Sequence, residues 1–372
     1  MMVLLIITIL LTIGYAWLIF YYWRAWKKVP VFSPGNNNPG CRISVVVPAR
    51  NEENNIQLLL DSLELQSYPR ANFEVIVVDD HSEDLTATVV KKHNTFRLIS
   101  LNEDQLNSYK KKAIKTGVRE AAGDLIVTTD ADCIAGRDWL RTISEYKEKQ
   151  NAVFIAAPVR LSFNSSILEK FQSLDFMVLQ GITAAAVYKG IHSMANGANL
   201  AYEKKAFDEV NGFSGIDNIA SGDDMLLMHK LKKNYPGRIH YLKAKEAIVT
   251  SQPMKTWKEF FNQRIRWASK TFYYKDRSLQ GALLLVYMYN LSFLALITAG
   301  FFNYWYWMVL AATWILKTII EWPFVSSVAR FYEYTPLMKY FFFFQPLHIY
   351  YTILAGCFGQ LGKYEWKGRR VR

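Results

Sequence analysis

The sequence contains little cysteine. Its 372 residues include three cysteines, Cys41, Cys133 and Cys357, which lie far apart. No two of them form a Cys-x-x-Cys pair, which excludes a zinc ribbon and gives no support to a disulfide framework. We therefore expect the chain to fold in a reducing compartment.

The motifs of several common enzyme classes are also missing. The chain has no Walker loop, no Gly-x-Ser-x-Gly elbow and no Gly-x-Gly-x-x-Gly turn, and its six histidines form no metal-spaced pair. The net charge of +12 would suit nucleic acid, anionic lipid or a phosphorylated substrate. Because the cations cluster beside apolar blocks and phosphate-type motifs, with no module that reads nucleic acid, we predict no nucleic-acid partner.

Charge is absent from the first 23 residues. An apolar helix of this length crosses about 30 Å of hydrocarbon. Arg24, Lys27 and Lys28 follow directly, whereas a cleaved signal peptide has its basic residues before the apolar run. We predict a transmembrane anchor at residues 1–23, followed by a linker, residues 24–41, on the cytoplasmic side.

A second apolar block covers residues 279–362. Its candidate spans are residues 279–302, residues 303–322 and, more weakly, residues 341–362. Residues 323–340 mix aromatic and charged side chains, which predicts an interfacial helix. Three spans would place the basic tail, residues 363–372, outside the cell, against the positive-inside rule. One of the three is therefore predicted to be re-entrant or interfacial.

Between the apolar blocks, residues 42–255 alternate between short β-rich runs and helical periods. The β-rich runs are residues 43–48, 73–78, 96–101 and 125–129. Strands that alternate with helices predict an α/β domain with a mostly parallel sheet and flanking helices. Such sheets bind ligands at the carboxyl ends of their strands.

Carboxylates follow two of these strands. Asp79-Asp80 ends the second run, and Asp130-Ala131-Asp132 ends the fourth. A turn at Asp130 would bring two carboxylates to one centre, and their oxygens suit Mg²⁺ or Mn²⁺ beside a pyrophosphate. The alternative is an Asx-type turn that caps the helix near Trp139.

Two further segments combine charge with a helical pattern. Asp223 and Asp224 precede an apolar helical run and are either helix N-caps or a general base for an acceptor hydroxyl. Lys110 begins a run of three lysines, which is either a solvated face or a contact to phosphate.

The segment Gln263-Arg-Ile-Arg-Trp267 lies just before the second apolar block. On a helix, Gln263, Arg266 and Trp267 are three and four residues apart and share one face. That face offers an amide, a cation for pyrophosphate and an indole for a sugar. The alternative is an aromatic and basic belt at the membrane interface.

Five motifs in this order resemble the family 2 inverting glycosyltransferases, the group that includes cellulose, chitin and hyaluronan synthases. They are VVVPARNE at 45–52, VVDDHS at 77–82, DAD at 130–132, GDD at 222–224 and QRIRW at 263–267. The resemblance implies a GT-A fold, a nucleotide-sugar donor and a divalent cation, Mg²⁺ or Mn²⁺.

The resemblance also implies donor-binding roles for the matching residues. Pro48, Ala49 and Glu52 match the loop near the nucleoside. Asp80 matches the aspartate that contacts the base, and Lys110 lies where a lysine is near the donor phosphates. Asp130 would face the donor and Asp132 the metal. Gln263, Arg266 and Trp267 match the QxxRW motif completely.

The catalytic base is implied with one ambiguity. Asp224 matches the aspartate that acts as base in the family. Asp223 stands where the family usually has glutamate, so both residues remain candidates. The segment from Asn196 to Tyr202 is similar to the acceptor-side segment of the family.

We therefore predict an inverting glycosyltransferase of the inner, cytoplasmic membrane. It would move a sugar from a nucleotide-sugar, UDP-linked, to a lipid-linked or polysaccharide acceptor at the cytoplasmic membrane face. The predicted parts are a catalytic domain at residues 42–255, an interfacial helix at 256–278 and membrane segments at 279–362. The alternatives are a processive polysaccharide synthase, an inactive membrane assembly protein and a nucleotidyltransferase. At most four spans favour a single transfer over secretion through a channel.

Overall fold

The computed structural model describes residues 2–35, 40–102, 108–217, 219, 222–269 and 276–359, and the backbone of 364–366 and 369–371. The chain divides into two compact units. One, which we call the helical unit, contains Met1–Lys28, Phe163–His192 and Pro253–Tyr364. The other, the α/β unit, contains Val29–Ser162, Ser193–Gln252 and Glu365–Arg372.

The secondary structure follows in chain order. The helices are α1 (Met2–Lys28), α2 (Ile56–Glu64), α3 (Thr86–Lys91), α4 (Tyr109–Glu120), α5 (Trp139–Gln150), α6 (Ile167–Lys189), α7 (Lys204–Glu209), α8 (Asp223–Asn234), α9 (Trp257–Ala268), α10 (Arg277–Gly300), α11 (Trp305–Tyr332) and α12 (Phe341–Gly359). The strands are β1 (Ile43–Ala49), β2 (Phe73–Asp79), β3 (Arg97–Ser100), β4 (Leu125–Thr128), β5 (Ile134–Ala135), β6 (Phe154–Ala156), β7 (Val159–Leu161), β8 (Leu200–Glu203), β9 (Ile239–Tyr241), β10 (Val249–Ser251), β11 (Tyr364–Trp366) and β12 (Arg369–Val371).

The core of the α/β unit is a seven-stranded sheet in the order β3-β2-β1-β4-β8-β6-β9. The first four strands are mutually parallel, β8 is antiparallel to both β4 and β6, and β9 is parallel to β6. The side chains of β4 and most of those of β1 are buried, as expected for a sheet covered on both faces. The predicted α/β fold class with long apolar helices at both ends is confirmed, and the sheet, predicted to be mostly parallel, is mixed because β8 is antiparallel to both its neighbours.

The register of these strands brings three loops to one edge of the sheet. Val45 of β1 pairs with Val75 of β2 on one side and with Val127 of β4 on the other. Because the three strands are parallel, their carboxyl ends lie together. The loops that begin at Arg50, Asp80 and Thr129 therefore share the edge where sheets of this kind bind ligands.

Among the residues that the structure describes, the helical unit contains four helices that are long and apolar enough to cross a membrane. They are Met2–Lys28, Arg277–Gly300, Trp305–Tyr332 and Thr335–Gly359, the last including a 3₁₀ turn before α12. Helix α1 packs against α6, α10 and α11. The Tyr15 hydroxyl donates to the Glu321 carboxylate and the Trp26 ring meets the Phe331 ring at 5.5 Å, so α1 and α11 run in the same direction.

Residues 323–340, predicted to be one interfacial helix, do not form a separate helix in the structure. Helix α11 continues through Pro323 to Tyr332, and Thr335–Tyr340 is a 3₁₀ turn. A proline inside a helix removes one hydrogen bond and crowds the preceding turn. Here the next residues are held by packing, because Phe324 and Val328 are buried against Gly181 of α6.

Helix α6 belongs to the helical unit although the predicted catalytic domain, residues 42–255, includes it. Helix α9 covers part of the predicted interfacial helix at 256–278, of which residues 270–275 lie outside the described residues. It begins with a capping box: the Thr256 hydroxyl accepts from the Glu259 amide and the Glu259 carboxylate accepts from the Thr256 amide. The side chains of the predicted basic tail, residues 363–372, also lie outside the described part.

Candidate active site

The loops after β1 and β2 are joined by a buried arginine. Arg50 Nη1 donates to the carbonyl oxygens of Asp80 at 2.8 Å and His81 at 2.9 Å. His81 has a left-handed backbone conformation with φ of 55°, and the two hydrogen bonds from Arg50 stabilise that turn. The carboxylate of Asp80 is buried, with its Oδ1 3.0 Å from His81 Nδ1.

The predicted nucleoside-loop residues lie beside this turn. Pro48 and Ala49 are the last two residues of β1. The Glu52 amide donates to Thr86 Oγ1 at 2.7 Å, and its carboxylate accepts from Asn55 Nδ2 at 2.8 Å. Glu52 therefore links the β1 loop to the start of α3.

A lysine lies among carboxylates at the start of α4. Lys110 Nζ is 2.6 Å from Asp130 Oδ1 and 3.7 Å from Asp223 Oδ2. Burial by itself lowers the pKa of Lys110, but Asp130, Asp223 and Asp224 outweigh it and raise that pKa above its ordinary value. The residue is thus a cation at neutral pH, and it joins the turn after β4 to α8.

Asp130 and Asp132 have different partners. The Asp130 carbonyl accepts from the Cys133 amide at 3.1 Å, which closes the predicted turn. The Asp130 carboxylate faces Lys110, whereas Asp132 Oδ2 accepts from Ser251 Oγ at 3.2 Å. The alternative helix cap is not formed by either residue, because Asp138 is the N-cap of α5.

Asp223 and Asp224 are the first two residues of α8, after Gly222 with φ of 79°. Asp223 is buried, whereas Asp224 is half-buried and so more accessible. Asp224 Oδ2 accepts from the Gly197 amide at 3.0 Å. A Cβ atom at Gly197 would lie 3.1 Å from both Asp223 Oδ2 and Lys110 Nζ, so a glycine suits this close approach.

A second lysine of α4, Lys111, forms hydrogen bonds with the backbone of the segment before α8. Lys111 Nζ donates to the carbonyl oxygens of Ile216 at 2.8 Å and Ile219 at 2.5 Å. Lys230 of α8 donates to the carbonyl oxygens of Gly212 and Ser214. Hydrogen bonds from two lysines therefore hold the backbone of Gly212, Ser214, Ile216 and Ile219.

In the helical unit, the predicted QxxRW residues lie on α9. Gln263, Arg266 and Trp267 are all partly exposed. Arg264, between them, is buried and pairs with Asp175 of α6, with Arg264 Nη2 2.8 Å from Asp175 Oδ2. No sequence pattern predicts this pair, because its two residues are 89 positions apart.

The structure thus brings Lys110, Asp130, Asp223 and Asp224 together in the α/β unit, and Arg50 with Asp80 in the neighbouring loops. Arg50 and Lys111 were not predicted as site residues. Their contacts are to backbone carbonyl oxygens, which no side-chain pattern marks. The assigned roles of all these residues remain predictions.

The fold and this edge of carboxylates define a GT-A-like α/β domain. Residues 44–210 match the family model "Glycosyl transferase family 2". This match assigns that segment to glycosyltransferase family 2 and confirms the predicted resemblance at the level of the family. The QxxRW motif lies beyond the matched residues.

Curated relatives are similar over a comparable part of the chain. The chain is 24% identical to "Probable glycosyltransferase YdaM" of Bacillus subtilis over 234 residues, which are 61% of this chain and 54% of the relative. It is 26% identical to "Poly-beta-1,6-N-acetyl-D-glucosamine synthase" of Staphylococcus epidermidis over 231 residues, 61% of this chain and 53% of the relative. The chain thus spans about half the length of these relatives.

A solved structure shares the fold over nearly the whole chain. It is the mannosyltransferase PcManGT from Pyrobaculum calidifontis in complex with GDP-Man and Mn²⁺. The two match with a TM-score of 0.59 and 21% identity, covering 96% of this chain and 99% of the other. At this identity the likeness supports the fold alone.

Proposed function

We propose that the protein is an inverting glycosyltransferase that moves a sugar from a nucleotide-sugar, UDP-linked, to an acceptor. The observation that carries the proposal is the group formed by Lys110, Asp130, Asp223 and Asp224 at the ligand-binding edge of the sheet. Lys110 supplies a cation for donor phosphate, and the adjacent carboxylates supply a base. The family match of residues 44–210 supports the same reaction class.

Asp224 is the proposed general base. It is the more accessible of the two aspartates, and Asp223 is buried beside Lys110. Asp224 would take the proton of the acceptor hydroxyl as that oxygen attacks the anomeric carbon. The attack occurs on the face opposite the nucleotide, so the configuration inverts. The Gly197 amide holds the Asp224 carboxylate in place.

The residues at this edge fit a divalent cation for which the protein supplies only part of the coordination shell. Among the described residues, no group of three or more His, Cys, Asp or Glu side chains is arranged to hold a metal ion. Carboxylates do lie at the sheet edge, and Lys110 shows that a positive charge is stabilised there. Mg²⁺ and Mn²⁺ typically use one or two carboxylates and take their other ligands from phosphate and water.

Asp132 would therefore hold the ion together with donor phosphate oxygens. The ion would supply neutralisation of the negative charge on the departing diphosphate. The donor-binding roles of Gln263, Arg266 and Trp267 rest on the resemblance and form part of this proposal.

The acceptor is proposed to be lipid-linked or a polysaccharide, at the cytoplasmic face of the inner membrane. The four long apolar helices support a membrane location. A processive polysaccharide synthase is the second candidate, favoured by the match to a poly-N-acetylglucosamine synthase. The length of the product distinguishes the two.

The test uses the purified full-length protein in lipid nanodiscs with UDP- and GDP-sugars, with Mg²⁺ or Mn²⁺ or with chelator. We expect metal-dependent release of nucleoside diphosphate and a glycosylated product by mass spectrometry. Asp224→Asn should lose transfer by about 100-fold or more while still binding donor, because it removes a general base. Asp208→Asn, at an exposed position of α7, is the matched control. Normal turnover by Asp224→Asn would reject the base, and a product that carries a nucleotide would indicate a nucleotidyltransferase.

A further inference from the structure

The second residue of the Gln-Arg-Ile-Arg-Trp segment is buried in the helical unit. The side chain of Arg264 is 3% exposed and that of its partner Asp175 is 4% exposed. Burying an ion pair costs desolvation free energy, so the pair by itself is weak evidence that it stabilises the fold. The position of this pair, between the motif helix and its neighbours, suggests a role in orientation.

The Asp175 carboxylate of α6 is contacted by side chains of two other helices. Arg264 of α9 donates to Asp175 Oδ2 at 2.8 Å, and the hydroxyl of Tyr351 of α12 donates to Asp175 Oδ1 at 2.5 Å. His348 Nε2, one turn earlier on α12, is 3.8 Å from Asp175 Oδ1. The carboxylate on α6 therefore fixes α9 against α12.

Arg264 passes this constraint to two neighbouring motif residues. Its guanidinium carbon lies 4.2 Å from the centroid of the Trp267 ring, within the range of a cation–π contact. Its Nη1 is 3.4 Å from Gln263 Oε1. Phe260 lies 4.8 Å from the same guanidinium, so the group is enclosed by rings.

We propose that Asp175, Arg264 and Tyr351 form a positioning clamp that sets the orientation of the Gln263 and Trp267 side chains. In this arrangement Arg264 is not a ligand of the substrate, although it lies within the motif. Asp175 and Tyr351 act through Arg264. The proposal rests on the proposed function in that it assigns the clamp a role in sugar transfer.

The geometry of the clamp is tested by a readout that does not need activity. The full-length protein is labelled with 5-fluorotryptophan, and the ¹⁹F resonance of Trp267 is assigned with Trp267→Phe. Removing the stacked guanidinium in the double variant Asp175→Asn/Arg264→Gln should shift this resonance. An unchanged resonance would overturn the clamp, whether or not the protein transfers sugar.

The same variants separate positioning from simple scaffolding. Each single change leaves one buried charge without its partner, whereas the double variant leaves none, so its melting temperature should recover. Positioning predicts that kcat/KM stays about tenfold or more below wild type in the double variant, because small misplacements are costly. Recovery of kcat/KM together with the melting temperature would show a structural role only.

Two further variants complete the experiment. Tyr351→Phe removes one hydrogen bond and no charge, so we expect a smaller loss of kcat/KM and a smaller ¹⁹F shift. Arg97→Gln/Glu120→Gln removes an exposed pair of the α/β unit and should change neither readout. If wild type shows no turnover of any nucleotide-sugar, the proposed function fails, and the ¹⁹F result still decides the clamp.

Discussion

Lys110 and Lys111 are adjacent residues with opposite surroundings. The ammonium of Lys110 lies among carboxylates, whereas that of Lys111 is buried against two backbone carbonyl oxygens. Burial lowers the pKa of Lys111 from 10.5 to about 8, although Asp223, Asp224 and Asp217 act in the other direction. The side chain thus stays charged at neutral pH at a cost in folding free energy.

This cost predicts how stability depends on pH. Between pH 8 and 10.5 the unfolded chain holds the Lys111 proton more tightly than the folded chain. The contribution of Lys111 to stability should therefore rise with pH across that window. Because a pKa difference of one corresponds to about 1.4 kcal/mol, wild type should gain about 2–3 kcal/mol over Lys111→Met between pH 7.5 and 10.

The measurement is the unfolding of the full-length protein in detergent at several pH values, always as wild type minus variant. Other titrating groups, such as Lys243, are common to both proteins and cancel. Lys115→Met, at an exposed position of the same helix, is the control and should show no such trend. A pH-independent difference for Lys111→Met would contradict the role of its burial.

At the scale of single residues, the sequence predicts which residues belong to the site better than it predicts which of them contact one another. Lys110 and Asp130 were both expected near the donor, but their direct pairing depends on the α4–β4 arrangement. The choice between Asp223 and Asp224 rests on accessibility, which no local pattern specifies. Asp175 was missed because its partner Arg264 is distant in sequence.

Helix α4, which carries both lysines, approaches the sheet closely at one glycine. A Cβ atom at Gly117 would lie 2.4 Å from Val46 Cγ1 of β1 and 3.3 Å from Val78 Cγ2 of β2. Both valines are fully buried in the sheet and have little room to move. Any larger residue at position 117 must therefore displace α4.

We predict that Gly117→Ala destabilises the protein by about 1–3 kcal/mol, as expected for overpacking. It should also weaken donor binding, because α4 positions Lys110. The matched control is Gly281→Ala on α10, where a Cβ atom meets nothing within 4 Å. This change should be neutral or stabilise by up to about 1 kcal/mol through helix propensity. Equal melting temperatures and donor affinities for Gly117→Ala and wild type would contradict the close packing.

Local periodicity predicted the elements of the first half of the α/β unit. The strands β1, β2, β3 and β4 and the helices between them occur where apolar runs and helical periods indicated. The antiparallel β8, inserted between β4 and β6, depends on long-range pairing and was not predicted. The prediction ended helix α11 just before Pro323. In the structure α11 continues through Pro323, because packing against α6 outweighs the helix-breaking effect of the proline.

At the scale of the helical unit, the direction of each helix follows from its contacts. Helices α1 and α11 are parallel, and α10 is antiparallel to α1 because Tyr15 meets Tyr289 while Tyr22 and Ser278 both bond His192. If Arg24 and Lys27 mark the cytoplasmic side, the turn between α10 and α11 lies outside. Phe302 in that turn is 91% exposed.

Helix α12 departs from this arrangement, and its contacts indicate which span is the exception that the parity problem predicts. It runs beside α9: Phe260 meets Tyr351, and a Cβ atom at Gly359 would lie 2.9 Å from Ala268 Cβ. Helix α9 carries Lys258, Glu259 and Arg266 and is not a candidate span. Because α12 runs beside α9, and α9 does not span the bilayer, we expect that α12 does not span it either. It would then be re-entrant or interfacial.

We therefore predict that the C-terminus lies on the cytoplasmic side, while Asn303 lies outside. Green fluorescent protein fused after Arg372 should fluoresce, and alkaline phosphatase fused there should be inactive. Asn303→Cys, in a chain whose native cysteines are replaced by serine, should react with a membrane-impermeant maleimide in intact cells. A cysteine at Lys91, exposed to solvent in the α/β unit on the predicted inner side, should react only after lysis. Active phosphatase at the C-terminus would instead make α12 a fourth span and place the basic tail outside, against the charge rule.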